Sequence, residues 1–137
     1  MSFKRKLRRH KENNNHMEIS FGQLAGGSQA IAILNSQPLR GRQAALLSRI
    51  VRALEPELKT YNDSRTAIFE KYGDWDAEHK SITIREAEQE VANRELKELW
   101  DTSISVNVKL LPLDLLDNVE ISAEQFATVE WLFEEQT

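Results

Sequence analysis

Cysteine is absent from this chain. That removes a disulfide framework, a thiolate nucleophile and the soft ligand set of most structural zinc sites. Such a composition fits the cytoplasm or a virus particle. Histidine is scarce as well: His10, His16 and His79 make three. None stands four residues from another, so no metal pair is placed on a helix face. No Gly-x-Ser-x-Gly elbow occurs, and a Ser–His–Asp triad would need His79 supplied from a loop. No apolar run approaches the roughly 18 residues needed to cross a membrane. The basic N-terminus has no apolar signal core behind it, so neither secretion nor a membrane partner is expected.

Glycine and proline are also few, at five and three. Gly22, Gly26 and Gly27 lie close together, but no Lys-Ser/Thr follows them and no strand precedes a dinucleotide fingerprint. They read as a helix contact or a local break. Asp74, Asp76 and Glu78 match the first three ligand positions of a calcium loop. His79 then stands where a glycine is required, and Arg85 where the bidentate Glu should be. Residues 73–78 therefore read as a solvated acidic loop. Trp75 within it is either an anchor folded onto a helix or an exposed contact. The 22 carboxylates contain no pair marked out by a surrounding motif. No catalytic, cofactor-binding or metal-ligating residue is assigned, and no cofactor is expected.

Charge is unevenly placed. Residues 1–16 hold six basic side chains and one acidic, a balance of +5; the remainder holds twelve and twenty-one, a balance of −9. The cations of the first segment are Lys4, Arg5, Lys6, Arg8, Arg9 and Lys11. That segment is polar and reads as unfolded. Three readings stay open: a phosphate-tracking nucleic-acid arm, an inert tail, or an over-called leader. The last arises because Lys11-Glu12 can be encoded as a bacterial ribosome-binding sequence a few codons before Met17. A chain starting at Met17 is expected to keep its melting temperature. Residues 17–137 are expected to form a single globular domain.

Within the body, the organising pattern is a seam at alternating steps of four and three: Leu47, Val51, Leu54, Leu58, Tyr61, Arg65, Ile68 and Tyr72. This is one face of an amphipathic helix over residues 44–72. Pro56 lies inside it but off the seam. The seam keeps its phase across the proline, which favours one kinked helix over two helices meeting near Leu54. Leu54 and Leu58 should be core positions, with Leu58→Ala costing about 2–5 kcal/mol. Arg65 either pairs with an acidic neighbour such as Glu57, sits at the rim, or serves a partner's carboxylate. Gly73 suits a left-handed C-cap, with Lys71 favourable in the last turn.

Ser20 with Gln23 forms a capping box that should start a first helix near Phe21. Pro38 ends it, and a short connection over 35–40 returns the long helix antiparallel, giving a helical hairpin. Thr83 with Glu86 predicts a third helix from residue 84 or 85 to Trp100. Residues 104–110 then alternate apolar and polar, as a half-buried strand does. Its candidate partners are residues 82–84 and 17–20, because a lone strand is unstable. Leu113, Leu115 and Leu116 should plug the core. Ser122 with Gln125 predicts a last helix through about residue 134, burying Phe126, Val129, Leu132 and Phe133. The fold class is mainly α (α+β): an antiparallel helical hairpin with a long Pro-kinked helix, a third and a short C-terminal helix, and a small β element near 104–110.

Several segments carry a resemblance. They are Met17-x-Ile19, the sequence Leu54-Glu-Pro-Glu-Leu-Lys-x-Tyr61 leading to Arg65 and Phe69-Glu-Lys-Tyr72-Gly73, then Leu113-Asp-Leu-Leu and Ile121-Ser-x-x-Gln-Phe. Over residues 17–134 the chain resembles small uncharacterised proteins encoded among the structural and assembly genes of tailed bacteriophages and prophages. The resemblance implies a non-enzymatic virion-assembly or minor structural role through protein–protein contacts. Its partners would be other phage proteins or further copies of itself, in the host cytoplasm during assembly or in the virion. The alternative is a nucleic-acid-associated phage regulator that uses the basic arm together with Arg40 and Arg42.

Overall fold

The computed structural model describes residues 16–135. Lys4, Arg5, Lys6, Arg8, Arg9 and Lys11, the cations of the basic arm, lie outside the described residues, as does all of the 1–16 segment except His16. The chain enters as a strand, β1 (Met17–Ser20), and turns directly into α1 (Phe21–Asn35). Ser20 ends one and caps the other. Its hydroxyl accepts from the Gln23 amide at 3.0 Å, and the Gln23 side chain accepts from the Ser20 amide at 2.8 Å. This reciprocal box satisfies two amides at the strand–helix junction, one of them a helix donor without an intrahelical partner. After the turn at residues 36–40, α2 (Gly41–Tyr72) packs back on α1.

At 32 residues, α2 is about 48 Å long at 1.5 Å per residue. It runs through Pro56 as one helix. The proline cannot donate to the carbonyl of Arg52, and its ring crowds that same carbonyl. Pro56 and Arg52 are both exposed, so the defect falls on the solvent side and the packed face is uninterrupted.

The buried stripe of α2 is Leu47, Ile50, Leu54 and Tyr61. It is rotated from the expected seam. Leu47, Leu54 and Tyr61 lie in the core, whereas Val51, Leu58, Ile68 and Tyr72 are half-buried and Arg65 is exposed. Ile50, only 1% exposed, belongs to the core and was not part of the seam. The outer third of α2 packs instead against β2 (Gly73–Trp75), β3 (Ile82–Ile84) and α3 (Gln89–Trp100).

Residues 73–75 form a strand, correcting the reading of 73–78 as a loop. Gly73 pairs with Ile84 and Trp75 with Ile82, in antiparallel register. Gly73 is extended, at φ −132° and ψ 177°, and is not a left-handed cap. A Cβ there would lie 2.6 Å from Ile82 Cγ2 and 2.7 Å from the Thr83 carbonyl. Glycine is needed for that close approach, not for a positive φ. The helix end is capped from across the hairpin. The Arg85 guanidinium donates to the carbonyls of Lys71 and Gly73 at 3.0 and 3.2 Å, and the Arg85 amide donates to the Tyr72 carbonyl at 3.0 Å. Thr83, committed to β3, does not cap a helix. A 3-10 turn at Glu86–Glu88 leads into α3, which starts at Gln89.

The second ladder joins the chain's beginning to its later half. β4 (Ser103–Val106) pairs antiparallel with β1, Met17 opposite Val106 and Ile19 opposite Ile104. The strand expected over 104–110 stops at Val106 because β1 offers four residues and no more. The Val108 amide turns back to the Val106 carbonyl at 3.1 Å. A 3-10 stretch, Leu113–Asn118, then carries Leu115, 0% exposed, into the core.

α4 (Ala123–Ala127) keeps the Ser122–Gln125 box but is far shorter than expected. Beyond Thr128 the backbone leaves the helix to bury Val129, Leu132 and Phe133, the last two through a 3-10 turn at Glu130–Leu132. Leu111 bonds across this segment, its amide to the Leu132 carbonyl at 2.7 Å and its carbonyl to the Glu134 amide at 2.8 Å. A helix continued to residue 134 would forfeit both bonds. The architecture is mainly α with small antiparallel β ladders, built around a long helix.

Candidate functional site

The inner half of α2 presents arginines at Arg42, Arg49 and Arg52. Steps of seven and three keep them on one side of a helix. Against that side runs the chain from residue 107 to 114, which leaves β4 and returns past α2. Two adjoining hollows open between them. One, of about 560 Å³, is lined by Leu46, Arg49, Ile50, Arg52, Ala53, Asn107, Val108 and Lys109. The other, of about 450 Å³, is lined by Arg42, Gln43, Leu46, Lys109, Pro112, Asp114 and Glu134. They share Leu46 and Lys109 and so form one groove along α2.

Its floor is apolar. Ile50 is buried, and Leu46, Ala53 and Val108 are half-buried. Its walls are charged: Arg42, Arg49, Arg52, Lys109 and Asp114 are exposed. None of these five, nor Glu134, forms an ion pair with another described residue. One end is cationic, through Arg49 and Arg52. The opposite end carries Asp114 and Glu134 together with Arg42, and Lys109 is shared by both. From Leu110 to Glu135 the sequence contains seven carboxylates and no lysine or arginine. Asn118 ties this acidic stretch to α2, donating to Gln43 Oε1 at 2.9 Å.

Comparison with protein-family models, curated proteins and solved structures gave no match. The groove is therefore read from its own chemistry. An apolar floor between guanidinium walls suits a surface that is itself part apolar and part anionic. Among the described residues, no group of three His, Asp or Glu side chains could hold a metal ion.

The outer end of the molecule is differently built. Arg65 is not paired with Glu57; its guanidinium lies over the Phe69 ring, 4.8 Å from the centroid. Trp75, 39% exposed, stacks on His79 at 5.3 Å and 4°. His79 takes a positive φ of 58° in the turn between β2 and β3. Asp76 organises that turn by accepting from the Lys80 amide at 2.8 Å and the Ser81 hydroxyl at 3.1 Å. The Lys80 bond, foremost, holds its carboxyl below the ordinary value. Asp76 is thus a turn-former, while Asp74 pairs with Arg85 at 3.0 Å. Lys71 is raised above its ordinary value, by Tyr72 first and by Glu95 next. Tyr72 also donates to Glu95, which joins α2 to α3.

The sequence-assigned residues fall into separate places. Leu47, Leu54 and Tyr61 serve the core, Arg65 and Ile68 lie toward the outer end, and the arm is outside the described residues. Arg42, weighed together with Arg40 for the nucleic-acid alternative, lies in the groove. Arg49, Arg52 and Lys109 were missed. The seven-and-three spacing of the arginines was visible in the sequence. The approach of Lys109 was not, because residues 107–114 reach α2 only through the tertiary path.

Proposed function

We propose that the chain is a non-enzymatic bacteriophage virion-assembly or minor structural protein that works through protein–protein contacts at the α2 groove. The supporting observation is the groove itself: Arg49 and Arg52 flank an apolar floor that continues to Asp114 and Glu134, and none of the four has an ion-pair partner among the described residues. Charged rims around an apolar centre are how protein interfaces are laid out. The phage setting rests on the resemblance across residues 17–134.

The regulator reading draws on the basic arm, which lies outside the described residues, with Arg40 and Arg42, of which Arg42 lines the groove. It is disfavoured by the −9 balance of residues 17–137, which repels a polyanion; and among the described residues no aromatic side chain lines the groove, where unstacked bases would need a platform. The test is a substitution scan in phage-infected or prophage-induced cells, scored for folding and for particle production. Arg49→Glu with Arg52→Glu should abolish production while the protein stays folded. If that variant works normally and one carboxylate or His79 alone proves essential in a folded protein, an enzyme reading replaces this one. Salt-sensitive nucleic-acid binding, lost on deleting residues 1–16, would replace it with the regulator.

A further inference from the structure

We infer that the groove takes an acidic, amphipathic segment of another protein, its carboxylates at the Arg49–Arg52 end and its apolar side chains on the floor. The inference rests on the protein-contact reading and names the chemistry of the partner within it. Residues 17–137 hold twelve cations against twenty-one carboxylates. The groove inverts that balance, with Arg42, Arg49, Arg52 and Lys109 in its lining against Asp114 and Glu134. The inversion is concentrated in the larger hollow, where Arg49, Arg52 and Lys109 stand with no carboxylate in the lining. In the smaller hollow Arg42 and Lys109 face Asp114 and Glu134, so the charge there is balanced. A complementary occupant is therefore acidic at one end and close to neutral at the other.

The floor decides what carries those carboxylates. Leu46, Ala53 and Val108 pack on the core yet stay partly open to solvent between the exposed cations. A purely ionic occupant such as inorganic phosphate would leave that apolar surface wet. A single-stranded nucleic acid would find no aromatic platform among the described lining residues, and the acidic body would repel the phosphates beyond the groove. A peptide supplies both kinds of group at once. The faces of one helix, or the sides of one strand, set carboxylates for the guanidinium forks and apolar side chains for the floor. Along α2 the lining runs from Arg42 to Ala53, about 16 Å or roughly three helical turns. A short segment of a partner is enough to fill it.

The experiment titrates the full chain with a fluorescent peptide of about 14 residues, slightly longer than the groove. The peptide is made of Leu, Ala and Glu, with its leucines at helical spacing and its glutamates in one half. Anisotropy gives the affinity, methyl NMR locates the contact, and circular dichroism confirms that each variant is folded. The peptide should bind with a Kd below about 1 mM and shift the methyl resonances of Leu46, Ala53 and Val108. Binding should weaken as salt rises from about 0.05 to 0.5 M, since screening shortens the reach of exposed charges. A counterpart with Lys for Glu, another with Ser for Leu, inorganic phosphate and an oligothymidylate should each occupy the groove at least about tenfold more weakly. Arg49→Glu with Arg52→Glu should weaken the acidic peptide at least about tenfold and strengthen its Lys counterpart, which a misfolded protein would not do. If that reversal fails to fold, Arg49→Ala with Arg52→Ala replaces it and should weaken the acidic peptide. Arg65→Glu, on the same helix but outside the groove, should leave the affinity within about twofold. An acidic peptide that fails to bind at about 1 mM, or that shifts only residues outside the groove, overturns the inference. So does equal binding of the Lys or Ser counterpart in the groove, or tighter binding of the oligothymidylate there. Particle production that depends on Arg49 and Arg52, in a protein that ignores the acidic peptide, overturns the acidic occupant and leaves the protein-contact reading in place. Loss of both dependences removes both.

Discussion

Gly26 and Gly27 are neighbours in α1 with opposite surroundings. A Cβ on Gly26 would meet nothing within 4 Å, whereas one on Gly27 would lie 2.7 Å from the Thr128 carbonyl and 3.1 Å from the buried Val129. Gly26→Ala should therefore stabilise the protein by about 0.5–1 kcal/mol, the ordinary helix preference for alanine. Gly27→Ala should destabilise it by about 1–3 kcal/mol, because backbone must move to admit the methyl group. Paired thermal melts check this; equal shifts would mean that α1 does not pack on residues 128–129. Asp76 carries a pH signature. Its folded pKa lies below the ordinary 3.8, so its contribution to the turn is complete above that value and is lost as pH falls through the lower, folded one. The Lys80 amide resonance should shift in that acid range, and Asp76→Asn should abolish the shift. A Lys80 amide unresponsive to acid would show that the bond to Asp76 does not form. The two glycines look alike in the sequence, as do the three acidic residues 74, 76 and 78; only their neighbours separate them.

At the scale of the element, α2 shows how much a period can carry. The steps of three and four across Pro56 are sufficient to foresee one continuous helix, because a loop has no reason to conserve phase. Which side of that helix is buried depends on what packs against it, so Ile50 enters the core and Arg65 does not. Leu54, 3% exposed, is accordingly a costlier position than the half-buried Leu58. Pro56→Ala should raise stability by about 1–3 kcal/mol, since it restores a donor to the Arg52 carbonyl and removes the clash, less a small gain in unfolded-chain entropy. Chemical denaturation reads it directly. A loss of stability would show that the packing of α2 requires the local geometry proline imposes. The shorter elements were less legible. Thr83 and Glu86 carry a capping pattern, yet Thr83 is held in β3, and the ladder with β2 prevails over a local cap. The alternation through residue 110 runs past its strand because a partner strand, not the pattern, sets where pairing ends.

For the whole molecule, β1 closes the chain on itself. It joins residue 17 to residue 106 and delivers Met17 and Ile19, 5% and 3% exposed, to the core. A chain beginning at Phe21 should lose about 1.5–3 kcal/mol for each of those side chains in addition to the ladder, a large share of the roughly 5–15 kcal/mol by which domains are stable. Its melting temperature, compared with that of a chain beginning at Met17, tests this. Equal values would show that the β1–β4 ladder adds nothing. By itself the sequence determined the helical class, the long helix through Pro56, the caps at Ser20 and Ser122, and the candidate status of residues 17–20 as a partner for the strand near 104. Each of these is written in local periodicity or in residues three apart. Only the tertiary structure decided which face of α2 is buried, that residues 73–75 pair with 82–84, where α4 stops, and that Lys109 stands beside Arg49 and Arg52 and, with Asp114 and Glu134, beside Arg42. Those are contacts between residues beyond the reach of any local repeat, and no local pattern encodes the path that brings them together.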